Sequence, residues 1–185
     1  MVPLRDNLTL AVSGAEIGTD MAEAELRRMA AASAPELAAQ LAALAFGCAS
    51  HVIALISPET LAQAHVKVGL LAGGFDAIGP FLVAGLFGTG MERPDSVVAR
   101  GAQADPQFIV LGGEGLGAQG HFENGLVIAI LGLGARGVDG AAVAPLVLKV
   151  GEETIRFAAE RDRTIGGRIQ YRVLRRGHPA EAGFL

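Results

Sequence analysis

Hydrophobic positions in this chain come as short runs and helical stripes, set apart by serine, proline and glycine. Leu8 to Val12 is an apolar run ending at Ser13-Gly14, which predicts a first strand and a turn. Asp20 and Glu23 have capping-box spacing, and good helix formers fill Met21 to Ala32, so a helix is expected there. Ser33-Ala34-Pro35-Glu36 repeats the start signal, with Ser33 as N-cap, Pro35 in the first turn and Glu36 reaching back to the cap. Leu37, Leu41, Leu44 and Ala45 then share one stripe, and Gly47 is the expected stop.

The next run, His51 to Ile56, is short, β-branched and bounded by Ser50 and Ser57, which predicts a buried strand. Ser57-Pro58-Glu59 opens a third helix, expected to run to about Ala72 and to end at Gly73-Gly74. Phe81 to Leu86, Phe108 to Leu111 and Leu126 to Leu131 are further apolar runs, each followed by glycines. Leu146 to Val150 and Thr154 to Ala158, on either side of Gly151-Glu152, predict a hairpin. Between Arg168 and Arg175, Ile169, Tyr171 and Val173 alternate with Arg168, Gln170 and Arg172, the pattern of a half-exposed strand. Helices mainly in the N-terminal half, with strands and glycine-rich turns in the C-terminal half, favour an α+β fold. A mixed-sheet α/β sandwich is the alternative. Pro94 to Pro106 reads as a surface connection inside a single domain spanning residues 1–185.

Composition adds an assembly argument. Hydrophobic residues make up 51% of the chain and charged ones 18%, against a usual charged share of about 25%. A lone domain needs a charged, patch-free exterior, so a homo-oligomer that covers part of its own surface is expected. The plainer alternative is hydropathy inflated by small alanine and glycine residues. The two oiliest windows, Val66 to Met91 and Leu126 to Val150, are broken by charges, so no membrane span is expected. Met1 to Gly14 has no basic start followed by an apolar run, so a cytoplasmic location is expected. A net charge of −4 argues against nucleic acid as a partner. One cysteine, Cys48, excludes a disulfide framework and reads as a small buried thiol. His65 falls on the apolar stripe of the expected third helix, an interior or interface position.

The most distinctive local feature is a near-duplication. Gly115 to Gly120 reads GLGAQG and Gly132 to Gly137 reads GLGARG, 17 residues apart. Both match G-x-G-x-x-G, in which backbone N–H groups can cradle an anion at a helix start. Seventeen residues cannot hold the βαβ unit of about 30 residues that a dinucleotide site requires. Tight turns between successive strands explain the glycines more simply. If Leu126 to Leu131 is helical instead, the first loop regains its helix and only the second is orphaned.

Glu114, His121 and Glu123 stand in an otherwise almost uncharged stretch. His121 and Glu123 would share one side of a strand, or lie about 200° apart on a helix. With Glu114 folded over by the glycine loop, the three could transfer protons or ligate a metal, although their spacing matches no metal motif. Gly115, Gly117, Gly120, Arg136 and Asp76 complete the expected ligand contacts, with Asp76 read first as a turn or cap residue. From Glu160 to Gly177 six arginines face two acids. Arg168 and Arg172 lie on one strand face, where they could grip phosphate or carboxylate, and pairing with acids of the same chain or of a second subunit is the first reading. The expectation is therefore a cytoplasmic homo-oligomer that binds a small polar or anionic ligand near the glycine loops, as an enzyme if His121 or Glu123 works as acid or base. The alternative is a non-catalytic assembly subunit. No cofactor or metal is identified by these residues.

Overall fold

The computed structural model describes every residue except 1, 6–7, 15, 27–32, 63–64, 101–116, 135–139, 164 and 166–167. Helices and antiparallel sheets together make an α+β fold. Two compact units divide the chain. The first takes Met1–Gly112 and Leu174–Pro179, the second Gly113–Val173 and Ala180–Leu185.

In the first unit, β1 (Val2–Arg5), β2 (Leu8–Gly14), β3 (Lys67–Phe75), β4 (Pro80–Gly88) and β5 (Asp95–Ala99) form a five-stranded antiparallel sheet in that order. Helix α1 (Glu16–Leu26) packs on β2 and on helix α2 (Ala34–Leu55), which itself crosses β3, β4 and β5. The sheet face beneath α2 is set by period two. The register pairs Val68 with Phe87, Leu70 with Gly85 and Ala72 with Val83, and all six are buried. Leu37, Leu41, Ala45, Cys48, Ala49 and Val52 meet them from the helix side and close the core.

The start of α2 follows its sequence signal. Ser33 caps it, its hydroxyl accepting the Glu36 backbone N–H at 3.4 Å, and Pro35 sits in the first turn. The end does not. The helix runs through Gly47 and takes in residues 51–55, which the sequence pattern assigns to a strand. A mid-helix glycine costs only about 1 kcal/mol, and the buried stripe continues unbroken through Cys48, Ala49 and Val52. What stops the helix is Ser57-Pro58, because the residue before a proline avoids the α region. Among the described residues α2 is long and apolar enough to cross a membrane, yet its apolar stripe faces the sheet as a core helix does.

The third expected helix shrinks to one turn, α3 (Pro58–Leu61), and the chain then becomes β3. Val68, Leu70 and Ala72 alternate inward, while Gly69, Gly73 and Gly74 weaken any helix there. His65 consequently lies outside a helix and is exposed.

The second unit holds α4 (Ala118–Gly134), α5 (Gly140–Ala159) and a two-stranded antiparallel sheet, β6 (Gln170–Val173) with β7 (Glu181–Phe184). The two helices pack together, and Gly125 admits the contact: a Cβ there would stand 2.9 Å from Cγ1 of Val150. Leu126 to Leu131, an expected strand run, is therefore helical. The hairpin expected across Gly151-Glu152 is also one continuous helix. Val150, Thr154 and Ala158 are buried at four-residue intervals, and Lys149–Glu153 and Glu152–Arg156 pair across single turns at 3.9 and 2.6 Å. The alternating strand near the C-terminus does form, shortened to β6.

Candidate functional site

The first glycine motif opens a helix rather than turning between strands. Gly117 adopts φ +74° immediately before α4, and its carbonyl accepts the His121 N–H at 2.9 Å. Only glycine takes that φ without strain. Gly120 lies in the first turn of α4 and is exposed. Gly115 and Glu114 fall outside the described residues. The second motif begins inside α4, which takes in Gly132 to Gly134, while residues 135–137, including Arg136, lie outside the described residues.

Because α4 is a helix, His121 and Glu123 diverge by about 200° around its axis. His121 stacks on Phe157 of α5, with ring centroids 4.3 Å apart and planes 17° from parallel. The Arg161 guanidinium lies 3.6 Å from the centre of the same Phe157 ring, a cation–π contact. Glu123 accepts a hydrogen bond from Gln119 Nε2 at 2.9 Å along the helix. The two groups expected to share protons thus serve separate local contacts. Among the described residues no set of three or more His, Cys, Asp or Glu side chains could hold a metal ion.

Cys48 is buried on the core side of α2, and burial, reinforced by the negative charge of Glu25, pushes its thiol up from the ordinary value. A thiol held protonated is a poor nucleophile. Arg168 lies just before β6, with its guanidinium 5.4 Å from the centre of the Phe184 ring.

Asp76 behaves differently from the others. It ends β3 and builds the turn into β4: its Oδ1 accepts the N–H groups of Ile78 at 2.9 Å and Gly79 at 3.1 Å. Arg100 follows β5, one residue past the Ala99–Leu82 pair, and reaches this turn. Its Nη1 donates to Oδ1 at 3.0 Å and its Nη2 to Oδ2 at 2.6 Å. These Arg100 hydrogen bonds hold the Asp76 carboxyl well below the usual carboxylate range, outweighing the opposite effect of burial, and the Gly79 and Ile78 amides add to them. Nothing local in the sequence joins positions 76 and 100; the strand register does. Asp76 belongs to the first compact unit, and His121 and Glu123 belong to the second.

A carboxyl whose folded-state value is depressed stabilises the fold fully above its unfolded value, about pH 4. That stability declines as pH falls below this point and is gone once the folded-state carboxyl itself protonates. Wild type is therefore expected to lose stability on acidification below about pH 4 more steeply than Asp76→Asn. Denaturant unfolding curves over a pH series check this, and parallel curves would refute it.

Beside this latch lies a cleft of about 470 Å³, lined on one side by Phe75, Asp76 and Ala77 and on the other by Leu174 to His178. Both walls belong to the first unit. Compared with known proteins, the chain matches no family model and has no significant match among curated proteins.

Proposed function

We propose that the protein works as a homo-oligomer, with the outward side of α4 joining the copies. The observation that carries this reading is an uncharged, exposed row on that helix. Val127, Ile128 and Leu131 are 55%, 71% and 69% exposed, and their spacing keeps them within about 100° of arc. No charged residue interrupts the helix from Asn124 to Gly134. Its neighbour α5 carries the charge-paired exterior expected of a helix facing water, with Glu152 and Arg156 bonded at 2.6 Å. Burying an aliphatic side chain of this size contributes about 1.5–3 kcal/mol, so a two-fold pairing of such rows has a driving force.

The low charged fraction of 18% supports the same reading. In this proposal the oligomer is cytoplasmic, with neither membrane nor nucleic acid as partner, consistent with the net charge of −4 and with α2 packed on the sheet. Acid–base catalysis by His121 and Glu123 finds no support in the described geometry. The assembly role therefore comes first, and a small anionic ligand is the second element of the proposal. Sedimentation velocity at micromolar concentration tests the assembly. Wild type is expected to run as a dimer or larger, and Ile128→Glu/Leu131→Glu as a monomer with an unchanged circular dichroism spectrum. A wild type that stays monomeric across the concentration range would overturn it.

A further inference from the structure

We infer that the free edge of β5 pairs antiparallel with β5 of a second copy, so that two sheets become one. The hydrogen-bond parity of the sheet exposes that edge. The Thr89 N–H donates to the Val66 carbonyl at 2.8 Å, and the Asp76 N–H to the Gly79 carbonyl at 3.0 Å. Carried along the register, these two bonds turn Phe81, Val83, Gly85 and Phe87 towards β3. Leu82, Ala84 and Leu86 then bond to Ala99, Val97 and Asp95. Ser96 and Val98 are left with their N–H and C=O groups facing away from β4. The Ser96 N–H donates to Asp95 Oδ1 at 2.8 Å. The Val98 N–H and both carbonyls meet no partner among the described residues.

Natural sheets guard such edges with prolines, bulges or charges. The opposite edge is guarded: β1 carries Pro3, which has no N–H, and its register slips between Pro3 and Arg5. Strand β5 has neither device, and its register is unbroken. Its side chains are open on both faces of the sheet, Val97 being 46% exposed and Val98 42%. Val98 lies on the α2 side beside Val83, and Val97 on the far side beside Ala84. A strand laid alongside covers both.

A second copy fits because β5 is complementary to itself. Antiparallel pairing centred on Val97 sets Ser96 against Val98 of the other copy, giving two pairs and four hydrogen bonds. Val97 meets its own counterpart, a cross-strand β-branched pair. Asp95, the one charged residue of the strand, falls opposite Ala99 and beside Arg100 of the other copy. The two Asp95 carboxylates stand about 13 Å apart along the strands, so no acid faces an acid. Five residues make about 17 Å of strand and cover far less than a stable dimer's share of about 800 Å² per partner. The contact therefore rests on the α4 pairing for its strength, since an α4-joined dimer presents two such edges at once.

Covalent trapping tests this pairing in the full-length protein. Val97→Cys and, separately, Asp95→Cys are oxidised with diamide at micromolar concentration, and linked dimers are read on non-reducing gels. Facing Val97 positions have Cα atoms about 4.5 Å apart, within disulfide reach, whereas the Asp95 positions lie beyond the limit of about 7 Å. Val97→Cys is expected to link roughly tenfold more completely than Asp95→Cys. Cys48 is buried and does not compete. Circular dichroism confirms that each variant is folded, and sedimentation of the reduced proteins reads the α4 pairing separately. Equal linking of the two variants, or no linking by Val97→Cys, overturns the strand pairing. In the latter case, ready maleimide labelling of the introduced thiol means an edge open to another partner, and protection means cover by the same chain. A reduced Val97→Cys protein that sediments as a dimer yet fails to link leaves the α4 reading standing. One that sediments as a monomer yet links selectively overturns the α4 reading and keeps the strand pairing.

Discussion

Gly85→Ala is expected to abolish stable folding of the first unit, with a larger effect than alanine at any other described glycine. Gly85 lies in the middle of β4, opposite Leu70, on the face that meets α2. A Cβ there would collide with the Ala42 backbone nitrogen and the Leu41 carbonyl carbon, and would stand 2.7 Å from the Leu41 oxygen. All three are backbone atoms of a helix, so no rotamer change relieves the overlap. Helix and sheet must separate, and with them the contacts of Leu41, Ala45, Val83 and Phe87. Overpacking in a well-filled core commonly costs about 1–3 kcal/mol; a clash with rigid backbone lies at or above the top of that range. Total stabilities are only about 5–15 kcal/mol. Thermal unfolding followed by circular dichroism is the check, and a variant melting within a few degrees of wild type would contradict the packing described.

Leu41→Ala has the next largest expected effect. Leu41 is fully buried at the centre of the α2–sheet contact, among the largest wholly enclosed side chains described. Removing its branched end leaves a cavity bounded by helix on one side and strands on the other, which resists collapse. The expected loss is about 2–5 kcal/mol, read as a lowered urea midpoint with unchanged slope. Leu37→Ala, nearer the start of the helix, provides a graded comparison. If Leu41→Ala costs less than about 1 kcal/mol, α2 is not seated on the sheet as described.

How far the sequence reveals this structure depends on where the deciding force lies. Local signals hold up well. The Ser33 cap with Pro35 and Glu36 sits at the start of α2, and the alternation of Tyr171 with Arg172 marks β6. The α+β class follows from such signals. The misread segments are those in which a short apolar run fits both periods. Residues 51–55 are β-branched enough for a strand, but the stripe that begins at Leu37 reaches Val52 in helical register and decides the matter. Lys67 to Ala72 reads as the end of a helix capped at Ser57, yet pairing with β2 and β4 on both sides makes it part of a central strand. In α5 the four-residue interval of Val150, Thr154 and Ala158 was available, and Gly151 concealed it by resembling a turn.

The candidate site shows the same limit more sharply. Asp76 is legible as a turn former because its Asx hydrogen bonds are local. Its partner Arg100 is not, since the ion pair depends on the register of β4 with β5. The proximity of the Arg175–His178 turn to Phe75 and Asp76 spans about a hundred residues of chain, and no periodicity encodes it. His121 and Glu123 are lone polar groups in an oily stretch of sequence, and the helix sends them to different neighbours.

Helix α2 is complete on the ribosome well before the strands that cover it. Its apolar stripe rests on β3, β4 and β5, all of which come later in the chain. Synthesis from Leu55 to Ala99 takes roughly two to nine seconds at about 5–20 residues per second. During that interval a 22-residue greasy segment waits without its sheet. The nascent polypeptide is then at its most exposed to trigger-type chaperones, to mistargeting and to clumping with neighbouring chains on a polysome.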